Sequence, residues 1–104
     1  MPNYDLKYFF DKFTAIPEER WCEVEFEDKK GRKCAAGHCG YTKEAYGAEC
    51  QALHDLFKAA GWLITAVNDG RHTLFSQRSP KARILAAVKY LMDHEKTKIE
   101  TTKV

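Results

Sequence analysis

Leu6, Phe9, Phe10 and Phe13 recur at helical spacing, with Asp5, Lys7, Asp11 and Lys12 on the other side, which predicts a first helix over 5–15. Pro17 ends it and biases Ile16 toward an extended conformation. The period then changes. Cys22, Val24 and Phe26 alternate with Glu23, Glu25 and Glu27, the pattern of a half-buried strand. Asp28 to Arg32 reads as a turn with Gly31 in a left-handed conformation. A returning strand would set Arg32 and Lys33 opposite the glutamates, each cross-strand pair contributing up to about 1 kcal/mol. The expectation is a small β-hairpin over 21–34, leaning on a helix because two strands alone are marginal.

The stretch Cys34-Ala35-Ala36-Gly37-His38-Cys39-Gly40 is made of small residues that let backbones approach closely. A second helix is expected over 44–60, with Tyr46, Cys50, Leu53, Leu56, Phe57 and Ala60 on its apolar face and Gly61 as its stop. Trp62, Leu63, Ile64, Ala66 and Val67 form a short apolar run, and periodicity leaves 62–76 open between strand and helix. If it is a strand, Asp69-Gly70 is a hairpin turn with His72 to Phe75 returning. The last helix, 79–94, carries Ser79 as N-cap and Pro80 at its first position. Its face is Ile84, Leu85, Val88, Leu91 and Met92, and a polar, frayed tail follows over 95–104. These elements predict one helix-rich α+β domain spanning 1–104, with three main helices and the hairpin between the first two.

Composition narrows the class. A chain of 104 residues buries about 65% of its unfolded surface, enough for one core without staples. Seventeen bases against fifteen acids give a formal charge of +2, too balanced for a typical nucleic-acid binder. The cluster Lys29-Lys30-Gly31-Arg32-Lys33 is offset by the acids directly upstream and reads as a solvated hairpin tip. No run approaches the roughly 18 apolar residues of a membrane span. The start, with no basic segment and an early acid, is not that of a signal peptide. The four cysteines are therefore read as thiols in the cytoplasm, of bacterial or phage origin.

Four pieces in order carry a resemblance: Trp21-Cys22 after a leading helix, Cys34-Ala35-Ala36-Gly37-His38, Val67-Asn68-Asp69, and the closing Arg83-Ile84-Leu85 helix. Together they resemble, over roughly residues 5–92, a family of small uncharacterised bacterial and phage proteins, a domain of unknown function. The resemblance implies a helix-rich domain in which Trp21, Cys34, Asn68 and Asp69 gather, and it implies no activity. The chain departs from the pattern by adding Cys39 and Cys50, and by carrying His38 where an apolar residue is common.

Three chemistries are compatible with these residues. A zinc site would take Cys34, Cys39, Cys50 and His54, the last two one helical turn apart, although Cys50 beside Leu53 and Phe57 also suits a core. A cysteine-dependent hydrolase or acyltransferase would use Cys34, with a pKa lowered at a helix start. His72 or His38 would be its base, and Asn68 or Asp69 would orient the base. The best expectation is a non-enzymatic binding module for an unknown protein or small molecule. Its ligand-binding residues would be Trp21, Cys34, His38, Asn68, Asp69 and Arg71; Arg20 and Lys43 would help meet an anion, and Tyr41, Tyr46 and Trp62 would flank the site. No cofactor is then required, and a symmetric homodimer is compatible with so many aromatics.

Overall fold

The structure is a computed structural model that describes residues 3–42 and 46–102, with side chains as far as Glu95. Helix α1 spans Leu6–Ala15, and Asp5 caps it by accepting the N–H of Tyr8 at 2.9 Å. Ile16 leaves the helix extended, as a residue before proline should, and a 3₁₀ turn follows at Glu18–Arg20. Helix α2 is the single turn Ala35–His38, and α3 is Ala48–Ala59. Gly61, at φ 81°, ends α3 with its N–H on Lys58 O (2.9 Å), and the N–H of Trp62 returns to Phe57 O (3.0 Å), a Schellman closure. Helix α4 is Ile64–Asn68, so the run after Gly61 is helical from Ile64, with Leu63 its extended N-cap. Helix α5, Pro80–Thr102, opens with Ser79 Oγ accepting the N–H of Ala82 at 3.1 Å.

The core follows from these faces. Helix α1 and α4 both pack on α5, and α2 packs on α4. Phe9, Phe13, Leu53, Phe57, Val67, Ile84 and Val88 are fully buried between them. Leu85, Leu91 and Met92 lie only partly buried at the edge of this core. The backbone of α5 continues through Thr102, past the expected end at 94, so the segment expected as a frayed tail is helical as far as it is described. The first two residues of the expected 44–60 helix lie outside the described residues; Tyr46 and Gly47 precede α3.

The fold is all-α, not α+β. Among the described residues there is no strand, only isolated bridges joining Lys33 to Trp21 in parallel and to Glu27 in antiparallel sense. The predicted turn forms, with Gly31 at φ 79° and Asp28 Oδ1 accepting the N–H groups of Lys30 and Arg32. The strands flanking it do not. The N–H and carbonyl of Lys33 itself pair around Trp21 alone, donating to Arg20 O (2.9 Å) and accepting the N–H of Cys22 (3.0 Å). The segment after Cys22 is drawn to distant groups, and Val24 takes a left-handed φ of 75° that breaks the pleat. The alternation of apolar and acidic residues is real, but no partner strand uses it.

Close packing holds this loop against α2. A methyl group on Gly37 would fall inside the van der Waals contact of the Phe26 carbonyl oxygen and lie 3.1 Å from Lys33 Cβ. Glycine in a helix costs up to about 1 kcal/mol relative to alanine, so at an open position Gly37→Ala would stabilise. Here overpacking against a backbone atom, typically about 1–3 kcal/mol, outweighs that gain. Gly37→Ala is therefore expected to destabilise the protein by about 2 kcal/mol in urea denaturation, whereas a neutral or stabilising result would show that the loop does not rest on α2.

Candidate functional site

Asn68, the last residue of α4, is fully buried, and both polar atoms of its amide are engaged. Its Oδ1 accepts the N–H of Ala35 at 3.0 Å, and its Nδ2 donates to Cys22 O and to Asp69 Oδ1, each at 3.0 Å. Its backbone carbonyl accepts both Nε (3.1 Å) and Nη2 (2.7 Å) of Arg83. Arg83 is a buried cation on α5. It is satisfied by those bonds, by Gln77 O at 2.7 Å from Nη1, and by an ion pair with Glu23. Gly70, at φ 77°, leaves room beside the guanidinium: a Cβ there would lie 3.3 Å from Arg83 Cζ.

Three consecutive loop residues are thus tied to the α4–α5 unit. The carbonyl of Cys22 is held by Asn68, the carboxylate of Glu23 by Arg83, and the N–H of Val24 by Asp69 Oδ1 at 2.9 Å. A left-handed backbone at a β-branched residue costs of order 1–3 kcal/mol. Val24 tolerates it because the two residues before it and its own N–H are fixed, and its side chain is left 85% exposed.

Below Val24 lies a groove of about 500 Å³ lined by Val24, Phe26, Cys34, Thr65, Asp69 and Arg71. A second groove of about 660 Å³ continues from Val24 and Phe26 toward Tyr41 and Thr42. The structure thus brings Cys34, Asp69 and Arg71 to one groove, with Asn68 buried beneath as its support. Trp21 and His38 belong to the core side. The indole packs on Phe13 (5.4 Å between ring centroids) and on His38 (4.8 Å), and its Nε1 donates to Ile16 O at 3.3 Å. His38 Nε2 lies 3.1 Å from Arg20 O, and burial holds its imidazole below the ordinary value. Val24, Phe26 and Thr65 were not marked by the sequence as site residues; exposure of an apolar side chain at a strained position has no local signature.

Cys34 does open a helix, as N-cap of α2. Burial nevertheless pushes its thiol up, and the N–H groups of Gly37 and Ala36 only partly oppose this. One helical turn offers little dipole against desolvation of a residue that is 4% exposed. His72, the other candidate base, packs between Trp62 (5.3 Å) and Phe75 (5.2 Å), and its Nδ1 accepts the N–H of Leu74 at 3.2 Å. Asp69 is engaged by groups other than these imidazoles, its Oδ1 accepting from Val24 and Asn68 and its Oδ2 paired with Arg71 at 3.6 Å. Of the metal candidates, Cys39 and Cys50 are core residues whose thiols are also raised by burial. His54 lies at the surface against Asp55 and Tyr46. Among the described residues, no group of three or more His, Cys, Asp or Glu is placed to hold a metal ion. Lys43 lies outside the described residues, and Arg20 is exposed on the 3₁₀ turn.

All four thiols are free and buried, and burial pushes that of Cys22 up to about 11. Alkylation of the native protein at pH 8 is expected to be at least roughly tenfold slower at every cysteine than for a free thiol, whose pKa is about 8.5. In denaturant all four should react at the free rate. Rapid native labelling of Cys34 alone would contradict this account of its surroundings. Comparison of the chain with protein-family models, with curated proteins and with solved structures found no match.

Proposed function

We propose that the chain is a non-enzymatic binding module whose ligand enters the groove between the 22–28 loop and α4. The observation that carries this reading is Val24: an apolar side chain held outward on a strained backbone by fixed contacts on consecutive residues. Backbone strain is retained where surrounding structure over-determines it, and ligand clamps are one such place. The groove's volume falls in the range of small-molecule sites, and its lining of apolar walls with a few convergent polar groups is of the same kind. The four free, buried cysteines support a cytoplasmic setting. Among the described residues, no helix is long and apolar enough to cross a membrane.

The test separates binding from folding. Val24→Gly removes the Cβ that makes φ 75° costly and should raise stability by about 1 kcal/mol. In a ¹H–¹⁵N NMR screen against a fragment mixture of neutral, anionic and cationic small molecules, shift changes should cluster at the amides of Val24, Phe26, Thr65 and Arg71. They should weaken in Val24→Gly despite its greater stability. Fragment contacts that avoid these amides would contradict the proposal, as would equal responses in both proteins.

A further inference from the structure

The groove has a chemical polarity that points to one class of ligand. At its mouth two charged residues face each other unequally. Asp69 is mostly buried, with Oδ1 accepting from Val24 and Asn68 to hold the loop and Oδ2 facing Arg71. Arg71 is the opposite case. Its backbone N–H is fixed on Ala66 O at 2.9 Å, but its side chain is 66% exposed, and its charged partner among the described residues is Asp69, whose Oδ2 lies 3.6 Å from Nη2, an ion pair longer than a hydrogen bond. A guanidinium carries five donors in a planar fork that matches a carboxylate. The mouth therefore holds an ion pair, and the solvent-exposed polar capacity left on it is chiefly the remaining N–H donors of Arg71, since the Asp69 carboxylate is mostly buried.

Behind Arg71 the walls are neutral. Val24 and Phe26 give apolar surface, Thr65 adds a methyl and a hydroxyl, and Cys34 lies at the floor with its thiol kept protonated by burial. On the far side of Phe26 the adjoining groove is lined by Glu25 and Glu27 as well as Lys29 and Lys33, so that end offers no net attraction for an anion. A ligand with its anionic end at Arg71 and its hydrocarbon toward Phe26 meets matching chemistry along its length; the reverse orientation does not.

We propose that the groove binds a small apolar monocarboxylate, an aryl or medium-chain alkyl acid, with its carboxylate on Arg71 and its hydrocarbon against Val24 and Phe26. This rests on the groove being the ligand site, and the experiment distinguishes the two claims. Binding of 3-phenylpropionate, of the neutral 3-phenylpropionamide and of the cationic 3-phenylpropylamine is measured by NMR titration on the full chain. The acid is expected to bind at least tenfold more tightly than the amide, and the amine more weakly than either. Arg71→Gln should bring the acid to the level of the amide, and Arg71→Lys should restore part of the difference. Because the Arg71 side chain is exposed, both variants should melt with the parent. Thr65→Trp, at an exposed position on the groove wall, should abolish binding of all three. Equal affinity for acid and amide, both lost in Thr65→Trp, would overturn the carboxylate preference while leaving the groove as the site. Failure of all three probes to perturb the groove, or binding unaffected by Thr65→Trp, would overturn both.

Discussion

The fold turns on the side-chain amide of Asn68. It sits where three separate pieces of chain converge without regular pairing: the start of α2, the loop after Trp21, and the end of α4. Only a residue that both accepts and donates fits. Aspartate would offer no donor to the Cys22 carbonyl or to Asp69, and an aliphatic residue would leave the Ala35 N–H and the Cys22 carbonyl unpaired. Each intact hydrogen bond contributes only about 1 kcal/mol, but each buried group left without a partner costs about 1–3 kcal/mol. The asymmetry makes this one amide more consequential than its own bonds suggest. Arg83 extends the arrangement, tying the carbonyl of the same residue to α5 and reaching across to Glu23.

From that junction the groove follows. The loop is not stabilised by a sheet, so its shape is dictated by what holds it from below: Asn68, Asp69 and Arg83 along one side, Gly37 underneath. The same contacts that fix the loop force Val24 into a conformation it would not choose. Stability gained at the junction thereby offsets local strain of order 1–3 kcal/mol at the rim. Arg71, three residues after Asn68, is placed at the mouth by the turn through Gly70, whose missing side chain also makes room for Arg83.

What was legible in the sequence was local. The spacing of Leu6, Phe9 and Phe13, the Ser79-Pro80 start, the Gly61 stop and the Gly31 turn each depend on neighbours a few residues away, and each forms as its pattern predicts. The hairpin fails for the converse reason. Alternation over 22–27 states which residues could share a face, but a strand also needs a partner, and the groups that hold the Cys22 carbonyl, the Glu23 carboxylate and the Val24 N–H lie 45–60 residues downstream. The same limit applies to the site. Cys34, Asn68, Asp69 and Arg71 could be singled out, yet nothing in the chain distinguishes the support, Asn68 and Asp69, from the exposed group, Arg71. Arg83 falls on the buried side of an amphipathic helix, where a charge reads as a solvated residue until its partners are known.

Urea denaturation of Asn68→Ala, combined with amide exchange at Val24, tests the central role of Asn68 most directly. The loss of stability should be about 3 kcal/mol or more, since two buried groups lose their partner at once. Under conditions where the variant remains folded, exchange at the Val24 amide should accelerate relative to the helical amides of α5, because the loop is no longer tied at Cys22. A loss below about 1 kcal/mol, the size expected for an ordinary surface substitution, with unchanged protection at Val24, would contradict the account.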